Sequence, residues 1–194
     1  MAEVVAIAVL AAGASRRLGR SKQLLPYKGR TLLRHAVETA LQAGAGPVLV
    51  VIADDALQAE LSGLAVRIVR NTEPEEGVAA SIRAAVQALE EPPDALILFP
   101  VDQPLVTHAQ LRQLVRAYGE TRHPMAAASY SGVLGAPALF AAELFPRLLA
   151  LRGEEGARKL LRTDPDAVAE LPMPEAACDV DTPEDYDRLL ARTV

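Results

Sequence analysis

The sequence begins with an apolar run that leads directly into a loop of small residues, Val4-Val5-Ala6-Ile7-Ala8-Val9-Leu10-Ala11-Ala12-Gly13-Ala14-Ser15. Residues 4–10 are typical of a strand that is buried on both faces, because polar side chains do not alternate with the apolar ones. Residues 11–15 carry no bulky side chain, so backbone N–H groups can approach a bound anion closely. This order of elements predicts an anion site at the carboxyl end of a buried strand.

The charge of the same region supports that prediction. Residues 4–37 contain seven basic side chains and no acidic one, although the whole chain has a net charge of −5. The seven are Arg16, Arg17, Arg20, Lys22, Lys28, Arg30 and Arg34. A local positive excess beside a small-residue loop indicates a site for a polyphosphate. The alternative is that these cations form only a solvated surface loop.

Strand and helix patterns alternate along the rest of the chain. Apolar runs at 48–52 and 95–99 lack alternation, as strands covered on both faces do. We therefore predict an α/β fold, a three-layer sandwich around a mainly parallel, Rossmann-like sheet, and a single domain over 1–194. Strands are predicted near 4–10, 48–52, 65–69, 94–100, 125–129 and 168–172. Helices are predicted near 31–43, 54–61, 78–90, 107–118, 140–150, 155–163 and 183–192, and a loop at 130–137.

Composition excludes several classes of protein. A chain of 194 residues that is 51% hydrophobic can bury a sizeable core, and its acidic net charge disfavours non-specific nucleic-acid binding. No apolar run approaches the ~20 residues of a membrane helix, and the N-terminus does not resemble a signal peptide. Cys178 is the one cysteine, which excludes an internal disulfide or a zinc site built of cysteines. We expect a cytoplasmic protein that binds neither nucleic acid nor membrane.

The first loop matches neither of the two common phosphate-binding motifs. In a Walker A loop, four residues separate the glycines and the lysine precedes Ser or Thr, whereas five residues separate Gly13 from Gly19 and Lys22 precedes Gln23. A dinucleotide-binding fingerprint requires glycine at the position of Ser15. The loop is therefore expected to bind phosphate in a different structural context.

Residues 10–26 resemble the signature of the nucleotidyltransferases that act on the molybdenum cofactor, and the resemblance extends over nearly the whole chain. Five further motifs of that family occur in the family's order: Asn71…Gly77…Ser81, Val101-Asp102-Gln103-Pro104, Gly135-Ala136-Pro137, Gly153-Glu154-Glu155-Gly156-Ala157-Arg158 and Asp179-Val180-Asp181-Thr182-Pro183-Glu184-Asp185. The resemblance implies the fold of the nucleotide-diphospho-sugar transferases. Glu154 stands where the family pattern has Asp.

The resemblance also implies a set of nucleotide-binding residues. They are Leu10, Ala11, Ala12, Gly13, Ser15, Arg16, Lys22, Asn71, Gly77, Ser81 and Asp102. Among them Lys22, Arg16 and Asp102 are expected to be catalytic, with Lys22 reaching the triphosphate. For Asn71, Gly77 and Ser81 the alternative is ordinary loop and helix-cap chemistry.

Two aspartates are expected to hold Mg²⁺. Asp102 follows the most apolar predicted strand, at the edge where ligands bind in open parallel sheets, and a hard carboxylate facing a triphosphate suits Mg²⁺. Asp181 is the expected second ligand, with Asp179 as a nearby substitute. The alternatives are a turn or cap role for Asp102 and a helix-start role for Asp181.

The same resemblance bears on both substrates. Guanylyl-transferring relatives have glycine at the position of Ala12, where a methyl group should crowd a purine more than a pyrimidine. Gly135, Pro137 and Arg158 are expected to lie toward the acceptor, although Arg158 could equally be a surface cation.

The predicted reaction is Mg²⁺-dependent transfer of CMP from CTP to the terminal phosphate of the pterin cofactor molybdopterin, with release of pyrophosphate. Molybdenum hydroxylase apoenzymes would receive the product. The alternatives are transfer from GTP to the same cofactor, transfer to a sugar or polyol phosphate, and a nucleotide-binding chaperone without chemistry.

Overall fold

The computed structural model describes residues 3–15 and 17–192, and within them the chain folds around one large sheet. The strands are β1 (Val5–Ala11), β2 (Pro26–Tyr27), β3 (Arg30–Thr31), β4 (Val48–Ile52), β5 (Arg67–Arg70), β6 (Ala95–Pro100), β7 (Met125–Tyr130), β8 (Val133–Ala141) and β9 (Val168–Pro172). Among the described residues, the main sheet has the order β5-β4-β1-β6-β8-β7-β9, while β2 and β3 form a separate two-stranded ribbon.

Most neighbours in the main sheet are parallel. β1 pairs in parallel with both β4 and β6, β5 pairs in parallel with β4, and β9 pairs in parallel with β7. Only β8 runs antiparallel to its partners in the described sheet, β6 on one side and β7 on the other. The prediction of a mainly parallel sheet is confirmed.

The helices cover both faces of this sheet. They are α1 (Leu32–Ala43), α2 (Val78–Gln87), α3 (His108–Thr121), α4 (Phe145–Leu149), α5 (Arg158–Thr163) and α6 (Pro183–Ala191). Alternate residues of β1 enter two separate cores. Val5, Ile7 and Val9 belong to the core that includes residues of α1 and α3, whereas Ala6 and Ala8 belong to the core that includes residues of α2, α4 and α5. The three-layer α/β architecture predicted from the sequence is therefore confirmed.

A third, smaller core joins the basic N-terminal segment to the C-terminal helix. Leu25, Tyr27 and Leu32 pack with Tyr186 and Leu189 of α6. The Tyr186 hydroxyl also donates a hydrogen bond to the carbonyl oxygen of residue 26, at 2.6 Å. The segment that follows the first loop is thus anchored by a helix about 160 residues away in the sequence.

The prediction of a loop at 130–137 is wrong, because these residues belong to a hairpin of β7 and β8. Ser131 and Gly132 make its turn with φ angles of 51° and 75°, the left-handed conformation that tight two-residue hairpins require. Pro137 is tolerated within β8 because the β7–β8 register shifts there: Ala127 pairs with Ala138, and the next residue pairs with Gly135.

Five predicted helices also differ from the structure, including α3, which ends at Thr121 rather than 118, and α5, which begins at Arg158 rather than 155. The predicted helix at 140–150 is wrong at its start, where residues 140–141 still belong to β8, and only Phe145–Leu149 is α-helical. The segment predicted as a helix at 54–61 is a 3₁₀ helix, Asp55–Leu61. α2 ends at Gln87, three residues before the predicted end.

Within residues 3–15 and 17–192, no helix is both long enough and apolar enough to cross a bilayer.

The start of α6 is stabilised by a reciprocal cap. Thr182 accepts a hydrogen bond from the backbone N–H of Asp185, and Asp185 accepts hydrogen bonds from the backbone N–H groups of Asp181 and Thr182. Burial acts to raise the pKa of Asp185, but hydrogen bonds from Thr182, Arg188 and Asp181 outweigh it and lower that pKa to about 2. The capped start therefore stabilises the folded state through the ionised form of Asp185.

We predict that Asp185→Ala lowers the free energy of unfolding by about 1 kcal/mol at neutral pH, the usual cost of a lost cap. Because the folded-state pKa is depressed, the difference from wild type is fully present above the ordinary aspartate pKa of about 4 and shrinks as pH falls toward 2. Urea unfolding at a series of pH values measures it. Asp187→Ala on the exposed face of α6 is the control, and a pH-independent difference would contradict the prediction.

Candidate functional site

A cavity of about 380 Å³ opens beyond the carboxyl ends of β1 and β6. From β1 the chain crosses to β4 and β5 on one side, and then returns to β6 on the other side. The crevice at such a reversal of strand order is where open α/β sheets bind ligands. Eight of the predicted nucleotide-binding residues line it: Leu10, Ala12, Gly13, Ser15, Lys22, Gly77, Ser81 and Asp102.

Two other predicted nucleotide-binding residues, Ala11 and Asn71, are not among the described residues that line the cavity. Ala11 is the last residue of β1 and is buried. Asn71 is also buried and lies beside the cavity. Arg16 lies outside the described residues, so its predicted role stays a prediction.

The small-residue loop is held in shape by Gln23, which the sequence analysis did not single out. Its side-chain amide donates hydrogen bonds of 2.8 Å to the carbonyl oxygens of both Ala11 and Gly13. The Ser15 hydroxyl accepts a hydrogen bond from the backbone N–H of Lys22 at 3.0 Å. These contacts fold residues 11–15 back against the segment that carries Lys22.

At one end of the cavity a single ammonium group is shared by two carboxylates. Lys22 Nζ lies 2.5 Å from Asp102 Oδ2 and 2.9 Å from Asp181 Oδ1. Arg17 adds a second cation, 2.5 Å from Asp181 Oδ2, although its side chain is 70% exposed whereas that of Lys22 is 11% exposed. The Lys22–Asp102–Asp181 triad therefore brings together three residues predicted from separate motifs.

The triad alters proton affinities in opposite directions. Burial alone would lower the pKa of Lys22, but Asp102 and Asp181 outweigh it and hold that pKa above its usual range. Burial would raise the pKa of Asp181, but Lys22 and Arg17 outweigh it and lower the pKa. Both groups are therefore charged at neutral pH.

Asp179 differs from Asp181. Burial raises its pKa, and the negative charges of Asp102, Asp181 and Asp185 raise it further. Among the described atoms, no cation is paired with its carboxylate. Asp181 lines the cavity and Asp179 is not among the described residues that do, so Asp181 is the better placed of the two to hold a metal ion.

Asp102 and Asp181 are 79 positions apart in the sequence, and a backbone contact explains why they meet. The N–H of Val180 donates a hydrogen bond to the carbonyl oxygen of Asp102 at 3.0 Å. Asp181 is thereby placed next to the end of β6, just before the cap of α6.

Asn71 has its amide engaged within the protein. Its Nδ2 donates to Ser81 Oγ at 3.0 Å, and its Oδ1 accepts the backbone N–H of Glu73 at 2.9 Å. Asn71 thus fixes the loop after β5 and the orientation of Ser81, which does line the cavity. A direct contact of Asn71 with a nucleotide stays a prediction.

The opposite wall of the cavity depends on a contact between two segments distant in the sequence. Gly77 has a φ of 108°, and a Cβ there would lie 2.7 Å from the carbonyl oxygen of Gly153 and 2.8 Å from Glu154 Cδ. The N–H of Ala79 donates to the same Gly153 oxygen at 3.1 Å. Only glycine permits this approach, which places Glu154 on the cavity wall.

An ion pair locks the same junction. Arg83 binds both carboxylate oxygens of Glu76 and also donates to the carbonyl oxygen of Leu151. Glu76 in turn accepts the N–H of Gly153 at 3.2 Å. Sequence reasoning missed this contact because neither Glu76 nor Arg83 lies at a motif position.

The residues predicted to face the acceptor lie outside the 380 Å³ cavity. Arg158 Nη2 lies 3.3 Å from the Tyr130 hydroxyl, next to Gly135, and Arg158 lines a neighbouring groove of about 620 Å³. Glu154 borders both the cavity and this groove. Pro137 lies in β8 and lines neither of them. The acceptor roles of these residues stay predictions.

Two carboxylates are available for a divalent cation. Within the described part of the chain, no group of three or more His, Cys, Asp or Glu side chains is arranged to hold one. A Mg²⁺ ion bound by one or two carboxylates completes its shell with waters and substrate phosphates. Asp102 and Asp181 therefore fit an ion that arrives together with a nucleotide.

The comparisons with known proteins agree with this geometry. Residues 7–169 match the family model described as the MobA-like NTP transferase domain. The chain belongs to this family of nucleotidyltransferases. The resemblance inferred from the six motifs is thus confirmed at the level of the family.

The relatives of this chain carry names that indicate different functions. Purine catabolism protein PucB of Bacillus subtilis is 31% identical, over 92% of each chain, and nicotine blue oxidoreductase of Paenarthrobacter nicotinovorans is 34% identical, over 94% of each. Molybdenum cofactor guanylyltransferase of Xanthomonas euvesicatoria is 36% identical over 55% of this chain and 51% of its own.

Solved structures confirm the fold. Rv0371c of Mycobacterium tuberculosis superposes with a TM-score of 0.85 at 31% identity, covering 98% of this chain and 100% of its own. The same protein has also been solved in a complex with manganese, which superposes with a TM-score of 0.80 over 96% of this chain and 98% of its own.

We predict that Gly77→Ala lowers the free energy of unfolding by about 1–3 kcal/mol, because alanine would be strained at this φ and would collide with the carbonyl of Gly153. Gly13→Ala is the matched control, since a Cβ there meets nothing within 4 Å. Urea unfolding of both variants measures the difference. Equal stabilities would contradict the packing of residues 153–154 on the start of α2.

Proposed function

We propose that this protein transfers CMP from CTP to the terminal phosphate of molybdopterin and releases pyrophosphate. The observation that carries the proposal is the Lys22–Asp102–Asp181 triad, which faces the small-residue loop across one cavity. A triphosphate lying along that loop would meet backbone N–H groups on one side and the Lys22 ammonium on the other.

The lining of the cavity offers different surfaces to different parts of a nucleotide. Among the described residues, Lys22 and Arg17 are its cations, Pro74 and Val78 contribute apolar surface, and Glu75 and Glu154 add carboxylates besides the two aspartates. The phosphates would lie against Lys22 and Arg17, and the ribose and base would occupy the remaining part of the cavity.

Asp102 and Asp181 would hold the divalent cation, which we propose to be Mg²⁺. When bound, such an ion neutralises charge on the phosphates and orients them for in-line displacement. The manganese complex of Rv0371c, a relative of the same fold, supports a divalent cation in this proposal.

The chemistry requires no nucleophile from the protein. An oxygen of the acceptor's terminal phosphate, already an anion, attacks the α-phosphorus of CTP, and the bond from that phosphorus to the oxygen bridging to the β-phosphate breaks. Pyrophosphate leaves with the electron pair of that bond. Lys22 and Arg17 would stabilise the negative charge that develops on the leaving group, so catalysis is positioning and charge stabilisation.

Ala12 favours CTP over GTP in this proposal. Its side chain lines the cavity and is 6% exposed, so its methyl group narrows the space that a base can occupy. The smaller pyrimidine fits beside it more readily than a purine.

The groove beside the cavity would receive the acceptor. It contains three cationic side chains, Arg158, Lys159 and Arg162, and shares Glu154 with the nucleotide cavity. Cations suit an acceptor that carries a phosphate, and a molybdenum cofactor guanylyltransferase among the relatives supports the pterin as that acceptor. Molybdenum hydroxylase apoenzymes are the proposed recipients of the product.

The test is a direct assay with Mg²⁺, each of CTP and GTP, and molybdopterin, sugar phosphates or polyol phosphates as acceptors. We predict pyrophosphate release and a cytidine dinucleotide product only with CTP and molybdopterin. Asp102→Ala is expected to lower turnover about 10²-fold or more, the usual scale of lost electrostatic stabilisation. A GTP product would reassign the base, a sugar nucleotide would reassign the acceptor, and binding without pyrophosphate release would indicate a carrier.

A second prediction concerns Lys22 itself, whose ammonium group occupies both proposed metal carboxylates. In Lys22→Met these carboxylates lose their competing cation, so Mn²⁺ alone should bind more tightly than to wild type. Mn²⁺ with CTP should bind about tenfold to a hundredfold more weakly, because a charged hydrogen bond to phosphate is lost. Electron paramagnetic resonance titration of free Mn²⁺ measures both.

The control for this pair of measurements is Lys28→Met, which removes a cation of the same basic segment. Lys28 lies over the Tyr27 ring and does not line the nucleotide cavity. Both of its affinities should equal those of wild type. If Lys22→Met weakened Mn²⁺ binding in the absence of nucleotide, the ammonium would not be a competitor of the metal.

A further inference from the structure

The residue next to Asp102 makes a buried connection between three parts of the chain. Gln103 is 4% exposed, and its Nε2 donates hydrogen bonds of 2.9 Å to the carbonyl oxygens of both Ala136 and Ala176. A carboxamide carries two N–H donors on one nitrogen, so a single group can satisfy both carbonyls.

The two carbonyls belong to two different segments of the chain. Ala136 lies in β8 between Gly135 and Pro137, where the register with β7 shifts. Ala176 lies in the short 3₁₀ turn Pro174–Ala177, which leads to Asp179 and Asp181. Gln103 therefore joins the end of β6 to both segments from inside the protein.

The segment that carries Asp181 has little regular structure of its own. Residues 178–182 lie between the 3₁₀ turn and α6 and belong to no helix or strand. Two backbone contacts tie this region to the end of β6: the Val180 N–H donates to the Asp102 carbonyl, and the Gln103 amide donates to Ala176, two residues before Cys178. Val180 is also packed in the third core, and the backbone N–H of Asp181 is bound by the cap of α6. The carboxylates of Asp102 and Asp181 can share one ammonium only while this segment is held against β6.

The other atom of the amide indicates what Gln103 contributes. Its Oε1 is buried and has no hydrogen-bond partner among the described atoms. A buried acceptor without a partner lowers the stability of the folded state, so an apolar side chain would fill this space at a lower cost in stability. What the amide supplies in return is the simultaneous fixing of two backbone segments.

We infer that Gln103 is a positioning residue that fixes Asp181 relative to Asp102, and thereby sets the spacing of the two carboxylates that receive the divalent cation. The inference rests on the metal role given to these aspartates in the proposed function. It does not depend on which nucleotide base or which acceptor the protein uses.

The test measures cation binding without any acceptor. Gln103→Leu removes the donors, and Gln103→Glu keeps the shape but cannot donate to both carbonyls, because an ionised carboxylate donates to neither and a protonated one donates to only one. Both variants are expected to bind Mn²⁺ in the presence of CTP about tenfold or more weakly than wild type, the usual effect of losing a residue that orients metal ligands. Electron paramagnetic resonance reports the binding, and circular dichroism reports the folded fraction.

Glu175→Ala is the matched control. It removes the surface hydrogen bond of 2.8 Å from Gln110 Nε2 to the same 3₁₀ turn and leaves the buried one intact. It should bind Mn²⁺ with CTP as wild type does. An equal loss of Mn²⁺ affinity in this variant would show that losing any hydrogen bond to the 3₁₀ turn weakens metal binding. That result would overturn the special role of Gln103.

Two further results would overturn the inference. Wild-type affinity for Mn²⁺ with CTP in folded Gln103→Leu and Gln103→Glu would remove Gln103 from the site, and failure of both variants to fold would assign the residue to the core alone. If wild type bound no Mn²⁺ with either CTP or GTP, the metal role of the aspartates would fail as well. Wild-type binding of Mn²⁺ with nucleotide but without product in the acceptor assay would overturn the proposed reaction and would leave the inference about Gln103 standing.

Discussion

The sharing of one ammonium between two carboxylates is the interaction on which the site depends. Asp102 and Asp181 lie side by side because Lys22 neutralises their mutual repulsion, and the side chain of Lys22 is largely buried. Burying charges is costly unless each has a partner, so the triad is stable only as a unit. In the proposed reaction a divalent cation and a triphosphate would supply the same charges with the partners exchanged: the cation would bind the carboxylates of Asp102 and Asp181, and the phosphates would bind the Lys22 ammonium. In the protein without substrates, Lys22, Asp102 and Asp181 thus neutralise one another, as the cation and the phosphates would neutralise them in the proposed complex.

Three separate structural devices bring the triad together. Asp102 is delivered by a buried parallel strand, and Lys22 by a segment that Gln23 and the small third core hold against the rest of the protein. Asp181 arrives on an irregular segment just before α6, where the cap of that helix engages its backbone N–H. Because the third core also includes α6, the helix that follows Asp181 packs directly on the segment that follows Lys22. The fold therefore positions both ends of the ion pair with one packing interface.

Sequence patterns predicted the features that depend on local order. Apolar runs without alternation identified the parallel strands, and strand ends identified the edge at which Lys22 and Asp102 meet. The patterns failed at β8, because glycine and proline within 133–141 obscure a strand whose pairing depends on partners far along the chain. They also missed Gln23 and Gln103, whose amides bind backbone carbonyls that no side-chain motif marks. The role of each glutamine depends on the carbonyl groups that accept its hydrogen bonds, and those groups come together only in the folded protein.

The contact between Gly77 and Gly153 bears on how the two substrates meet. Gly77 opens the helix beside the nucleotide cavity, and the loop packed on it carries Glu154, which borders both this cavity and the cationic groove. Glu154 therefore lies between the two proposed binding regions, and the Glu76–Arg83 ion pair fixes the loop that carries it. In-line transfer needs the acceptor phosphate and the α-phosphorus within a few ångströms of each other, because the protein supplies no covalent intermediate to carry the nucleotidyl group between sites. Because Gly77 lets the backbone of Gly153 approach the start of α2, the proposed acceptor groove can lie close enough to the nucleotide cavity for direct transfer.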